Sequence, residues 1–443
     1  MRRGFCTIMS AWRGRAWLRE IYSENFMNSW RTVVSGARLG FIFFALVVGG
    51  GALLGLSAQD KPAQDPAPPA AAPANHIVTS ENVAYRFAYA GNVAQIPLQN
   101  VSGRMLMPVR VNTGKPGFFL VATGDPRSGL DPKPWLPQDA GASTQIDFEK
   151  TLFSLPGLDM QVSQLLPASL VDLSDQIGQP VRGILGADVL RQFVVELEYD
   201  RSAIHFYDAN SFEYSGKGLK LPLIMRGGLP SIHMKVSLEG HGSFEDDFAI
   251  ETETASTLSI SKPYAVAHHI NEKKLKGFSR VEPNGSRTLL SRVKSVSIGP
   301  LVFEDPIVEF PPAAGPDNSS ASIGNGLLSR LRIFLDQPHK QVILETGEKY
   351  KTNFDADMSG VVLVARGTNL KTFEVAAVSP HTPGSEAGLQ KGDVIAGIDG
   401  QPAADLDLSG LREMLRVFGH EYHLTVVRNE HTVEMKLKTK RLV

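Results

Sequence analysis

The chain has 443 residues, 42% hydrophobic and 21% charged, with 45 Lys+Arg against 46 Asp+Glu and a formal net charge of -1. At roughly 150 residues per domain this length predicts about three folding units, and the near-average composition excludes global disorder and a polytopic membrane protein. The balanced charge shows no nucleic-acid footprint, and the lone Cys6 excludes an internal disulfide framework or a Cys-rich metal site. Plentiful Gly and Pro with short Val, Ile and Phe runs predict a β-rich fold with many turns.

Residues 1–38 carry seven arginines against Glu20 and Glu24. An uncharged run, LGFIFFALVVGGGALLGL, occupies 39–56. It is long enough for a membrane span. Gly49–Gly51 and the small residues Ser57-Ala58 also suit a signal-peptide core and its cleavage site. Residues 1–58 are therefore expected to be a signal peptide or a membrane anchor. Met27, read as the start, gives a leader of ordinary length. The arginine excess precedes the run, so the rest of the chain is expected outside the cytoplasm. That places the chain in the periplasm or cell envelope, secreted or anchored by one N-terminal transmembrane segment. Residues 59–75 are a Pro/Ala-rich linker, and folded structure is expected from about His76.

Residues 76–210 and 211–350 read as two copies of one diverged unit. The first contains Ile184-Leu185-Gly186, followed by FVVELEYDRSAIHFYD (193–208); the second contains Ile323-Gly324, followed by LRIFLDQPHKQVILE (331–345). With Gly186 set on Gly324 the two align without a gap through Phe206 and Leu344. Each reads as a helical turn, a strand, a tight turn and a strand. Upstream, MLMPVRVN (105–112) and the alternation of Ile232, Met234, Val236 and Leu238 predict strands. Each is followed by a turn and a second strand, Phe118–Val121 and Phe248–Ile250.

Residues 355–443 form a third unit. It has strand patterns at 360–367, 373–378, 423–429 and 432–439. Leu408, Leu411, Met414 and Leu415 fall at helical spacing and predict a helix over 408–417.

The segment AGL-x-KGDVI-x-x-IDG (387–400) resembles the PDZ family, in the bacterial type whose last strand fills the place of the usual first. By that resemblance Ser359-Gly360-Val361-Val362 forms the carboxylate-binding loop. The groove then lies between the strand at 361–366 and the helix carrying Leu411 and Leu415. A peptide would add there as an extra strand. The duplicated region resembles the retropepsin-like (pepsin/retropepsin-type) aspartic proteases, in the two-lobed bacterial form with a C-terminal PDZ domain. The hydrophobic–hydrophobic–Gly element Ile184-Leu185-Gly186, its weaker counterpart Ser322-Ile323-Gly324 and the strand–turn–strand after each glycine carry the resemblance. It implies a mainly β protein: two β-barrel lobes of the acid-protease fold plus an α+β PDZ domain.

The resemblance also implies Asp-Thr-Gly after a strand in each lobe, with two carboxyls sharing a proton. This chain departs there. The first lobe has Ala122-Thr123-Gly124, and the second has Glu251-Thr252-Glu253. Alanine cannot hold or transfer a proton. Glu251 adds a methylene, and a misplacement of about 1 Å in such a site can cost around a hundredfold. Glu253 in place of glycine requires a different side-chain path. Ordinary aspartic-protease chemistry is therefore expected to be lost. Asp125 and Asp131 are the nearby acids that could swing in, although loop aspartates usually serve turns.

His268-His269 is a weak metal pair, since adjacent helical residues point apart. No cofactor or metal site is expected. No Gly-x-Ser-x-Gly or Walker-type loop occurs. The function expected is an exported peptide- or protein-binding pseudoprotease whose PDZ module takes polypeptide C-termini or extended peptides. The alternative is an active endopeptidase using Glu251 with an unidentified second acid. A monomer is the default, because two lobes in one chain complete the cleft.

Overall fold

The structure is a computed structural model that describes residues 78–79, 82–88, 92–133, 151–240, 242–270, 275–312 and 321–443. The leader, the Pro/Ala stretch, Cys6, His241 and residues 271–274 lie outside the described residues. Among the described residues, no helix is long and apolar enough to cross a membrane.

Strands dominate, as the turn-rich composition predicts. In the first lobe Arg104–Val111 pairs antiparallel with Pro116–Val121. Pro116–Val121 then pairs in parallel with Val181–Leu185, which itself pairs antiparallel with Gly129–Leu130. The second lobe repeats this. Leu229–Leu238 pairs antiparallel with Gly242–Ile250, which pairs in parallel with Ala321–Ile323, and Ala321–Ile323 pairs antiparallel with Leu258–Ile260. In each lobe the glycine after the returning strand meets a loop at very short range. A Cβ on Gly186 would lie 2.6 Å from the Arg127 carbonyl carbon, and one on Gly324 would lie 2.6 Å from the Ser256 carbonyl oxygen. Glycine is required at both positions by this close approach.

A six-stranded sheet joins the lobes. Its order is Leu219–Pro222, Gln341–Thr346, Leu331–Asp336, Phe193–Glu198, Ala203–Asp208, Val93–Pro97. At its centre Glu196 pairs with Phe334. Those two residues are separated by 138 positions, as are Gly186 and Gly324. Each is therefore the other's counterpart in the repeat, and the pair marks the local two-fold axis. The hairpin turns correspond in the same way: Ser202 and Lys340 both take left-handed backbone, at φ 52° and 53°. Val195, Leu197, Ile333 and Leu335 belong to one core that both lobes share. Each such buried side chain contributes about 1.5–3 kcal/mol.

The third unit has its own core around Phe373, Val375, Leu424 and Val426. Its sheet runs Val361–Arg366, Thr372–Val378, Val394–Ile398, Glu421–Arg428, His431–Lys438. Val361–Arg366 is thus an edge strand. The helix predicted over 408–417 spans Leu408–Met414, because Leu415 already closes it. Its N-cap Asp407 accepts from the Gly410 N–H at 2.6 Å. Here the helix Val171–Ile177 is α1 and the helix Leu408–Met414 is α2.

Candidate functional site

Two loops emerge side by side from the strands Pro116–Val121 and Gly242–Ile250. Their starts are held alike: the Ala122 N–H donates to the Leu185 carbonyl, and the Glu251 N–H donates to the Ile323 carbonyl. The next residues lock the lobes together. The Thr123 N–H donates to Thr252 Oγ1 at 3.1 Å, and the Thr252 N–H donates to Thr123 Oγ1 at 3.1 Å. Each hydroxyl in turn reaches across to a carbonyl, Thr252 Oγ1 to Val121 at 2.8 Å and Thr123 Oγ1 to Ile250. Both threonines are buried. This symmetric interlock brings the first-lobe loop 122–124 against the second-lobe loop 251–253.

Between the loops the two lobes are unequal. Ala122 is buried and offers a methyl. Glu251 stands in the second loop, where the Ser322 hydroxyl donates to its Oε2 at 2.9 Å. The Glu253 side chain crosses the lobe boundary, and its Oε2 accepts from the Gly124 N–H at 3.2 Å. A Cβ on Gly124 would lie 2.2 Å from Glu253 Oε1 and 2.8 Å from Glu251 Cγ, so both acids pack over that glycine. Burial raises the Glu251 carboxyl, with the Ser322 hydrogen bond opposing. Burial first, and then the Glu251 charge, push the Glu253 carboxyl up to about 7. The site therefore holds two coupled carboxyls, both contributed by the second lobe. Sequence reasoning passed over Glu253 as an acid, treating it only as a lost glycine.

Of the other candidates, Asp125 stands near enough to Glu253 for its charge to raise that carboxyl further, and the rest serve other contacts. Asp125 closes a local turn by accepting from the Arg127 N–H at 3.1 Å; its carboxyl is raised by burial. Asp131 does the same for the Lys133 N–H at 3.1 Å. His268 stacks on Tyr264 at 4.0 Å and faces Asp246, while His269 takes left-handed backbone at the helix end. Away from the cleft, Glu196, Glu198 and His205 cluster closely enough to hold a metal ion. The Arg332 guanidinium already lies 2.5 Å from Glu196 and 3.8 Å from Glu198, and so supplies the positive charge there.

In the third unit, Ser359 and Gly360 form the loop that leads into the edge strand, which begins Val361-Val362. Val361, Leu363, Leu411 and Leu415 are buried in the core of this unit, where with Leu389, Ile395 and others they surround a small apolar void of about 20 Å³. The structure thus gathers the predicted groove residues at the loop end of the edge strand.

The described architecture is a two-lobed, mainly β protein with an interlocked loop pair, followed by a small α+β unit with Val361–Arg366 at the edge of its sheet. Residues 374–428 match a family model described as PDZ domain. The C-terminal unit is a PDZ domain. No curated protein matches the chain. Among solved structures, the chain is similar to the aspartic proteinase from Irpex lacteus. The identity is 14%, the alignment covers 59% of this chain and 100% of that one, and the TM-score is 0.37.

Proposed function

We propose that this protein is an exported, non-catalytic relative of the retropepsin-like aspartic proteases, which binds extended polypeptide in its cleft and polypeptide C-termini through its PDZ domain. The observation that carries this reading is Ala122. The threonine interlock keeps the two loops in register, yet at the position before Thr123 the first lobe has a buried methyl and no carboxyl. A water deprotonated by one carboxylate as it attacks the carbonyl, and a carbonyl protonated by the other acid, need two carboxyls facing each other closely enough to share one proton. Glu251 and Glu253 approach from one lobe only. On this reading the cleft binds an extended chain and has lost the arrangement that cuts it.

Glu253 gives the second reading a specific basis. Its carboxyl sits on the Gly124 N–H beside Glu251, and so supplies a second acid for an endopeptidase. One experiment separates the two. The chain is incubated with an unfolded, fluorescently labelled substrate protein between pH 4 and 7. The pseudoprotease reading expects binding without cleavage. Cleavage that vanishes in Glu251→Gln overturns it in favour of the endopeptidase.

A further inference from the structure

The polar groups of the PDZ groove are already satisfied from within the chain. At the loop, the Ser359 and Gly360 N–H groups donate to Asp357 Oδ1 at 3.0 and 2.7 Å. The Val361 N–H donates to Ser359 Oγ at 3.1 Å. Along the edge strand, the Leu363 carbonyl accepts from Arg412 Nη2 of α2 at 2.7 Å. At the far end, Arg366 pairs with Asp175 of α1 at 2.5 Å. The first lobe completes the cover. Helix α1 packs against the edge strand. A Cβ on its C-cap Gly178 would lie 2.6 Å from Leu408 Cβ at the start of α2. The Ser102 N–H donates to Ser409 Oγ at 3.1 Å, and Ser102 Oγ donates to the Ile177 carbonyl at 3.0 Å.

These contacts imitate a bound peptide group by group. Asp357 presents a carboxylate to the loop amides, as a chain terminus would. Arg412 gives the edge carbonyl the N–H that an added strand would give. Asp175 gives Arg366 a second acidic partner beside Glu374 of the next strand. A helix laid on a sheet edge also keeps other chains from pairing with it.

Resting on the reading that this module captures C-termini, we propose that the groove is self-masked and opens by exchange for one class of ligand. That ligand is a free C-terminal peptide with an aliphatic last residue and an acidic residue upstream. Its carboxylate replaces Asp357 on the loop amides. The void beside Val361, Leu363, Leu411 and Leu415 is only about 20 Å³, so the last side chain enters there only in the opened state, once α2 has shifted. The peptide backbone replaces Arg412 at Leu363, and the peptide's acid replaces Asp175 on Arg366. The strand from Val361 to Arg366 sets the spacing: at about 3.3 Å per residue, the acid belongs roughly four or five residues before the terminus. Each exchange swaps one polar partner for another, so the covered groove binds weakly. The apparent dissociation constant rises by the inverse of the open fraction.

Fluorescence anisotropy on the full chain tests this, using a fluorescein-labelled peptide that ends Glu-Glu-Ser-Thr-Val-Leu. The controls are its C-terminal amide and the version with both glutamates replaced by lysine. The doubly loosened variant Asp175→Asn, Ser409→Ala should bind the acidic peptide about tenfold more tightly than the wild type, as for a groove open about a tenth of the time. The amide and lysine peptides should bind poorly to both. Equal affinity of wild type and variant overturns the masking while leaving C-terminal capture intact. Binding to neither overturns both, and equal binding of the amide rejects the loop. Hydrogen exchange on the wild type gives a second readout that needs no variant. Saturating peptide should speed exchange in residues 171–177, and unchanged exchange with peptide bound overturns the proposal.

Discussion

The Gly124 amide of the first lobe donates to the Glu253 carboxylate of the second, 3.2 Å across the lobe boundary. This one hydrogen bond explains how a glutamate stands where a glycine would let the backbone pass. The side chain leaves its own loop and rests on the glycine of the opposite one. The main-chain carbonyl of the same residue accepts from Arg104 Nε at 3.0 Å, which fixes its backbone as well.

Glu253 should make stability fall as pH rises. Its carboxyl is raised from an ordinary 4.5 to about 7, chiefly by burial and then by Glu251. Between those values the unfolded chain releases this proton and the folded chain keeps it, so the native state binds more protons and loses stability with increasing pH. The contribution is fully present below about pH 4.5 and is gone above about pH 7. Glu253→Gln keeps an acceptor for Gly124 and removes the charge. It should match the wild type at pH 4 and exceed it at pH 8 by on the order of 2 kcal/mol. Urea unfolding at both pH values measures the difference. A gap that is constant with pH would reject the assignment.

The threonine interlock should be cooperative. Thr123→Val and Thr252→Val each remove a hydroxyl that both accepts from and donates to the opposite loop, and each leaves a buried backbone N–H without its acceptor. A buried unsatisfied group costs about 1–3 kcal/mol. The double variant should cost less than the two singles together, because the hydroxyls touch at 3.4 Å and losing either one loosens the loop register on which the other's bonds depend. Denaturant titration of the four proteins gives the coupling. Simple additivity would show that the two hydroxyls act independently.

Much of this was legible in the residues. Ile184-Leu185-Gly186 and Ile323-Gly324 stand out because a buried strand must end on a glycine pressed against backbone, and that demand is local. Ala122 and Glu251 followed from their place after a strand and before threonine. The Glu253 contact was not legible: its path depends on Gly124, 129 residues earlier in the chain, and a side chain's direction follows from the packing of both loops. The cover on the PDZ groove divides in the same way. Asp357-Met358-Ser359-Gly360 is a local Asx-type turn whose signal was present in the sequence. The pairing of Asp175 with Arg366 joins parts of the chain that only the docking of the first lobe brings together.

Restoring the lost acids should need all three changes. Ala122→Asp alone places a third carboxyl next to Glu251 and Glu253, where burial and like charge already oppose ionisation. It should remain inactive and cost on the order of 1–3 kcal/mol at pH 7. Adding Glu251→Asp and Glu253→Gly removes the side chains that pack over Gly124. The triple variant should cleave an unfolded labelled substrate at acid pH. Activity should be lost again when Glu251→Asn takes the place of Glu251→Asp in that background. A triple variant that folds, by circular dichroism and urea titration, yet shows no cleavage would mean that the cleft has diverged beyond its acids.

Gly186 and Gly228 offer a contrast that tests the crossing of loop and strand in the first lobe. Both lack a side chain, but for different reasons. A Cβ on Gly186 would meet the Arg127 carbonyl carbon at 2.6 Å and its oxygen at 2.7 Å, and backbone cannot swing aside as a side chain can. Gly228 has left-handed backbone, at φ 83°, with nothing within 4 Å. Gly228→Ala should therefore cost about 1 kcal/mol, the conformational penalty alone. Gly186→Ala must displace the 125–127 loop, and should cost about 3 kcal/mol or more, at the upper end of overpacking effects. The displaced loop also carries the Asp125 carbonyl that accepts from the Ala187 N–H. Thermal and urea unfolding of the two variants compare them directly. Equal, small losses would place the loop farther from Gly186 than this arrangement requires.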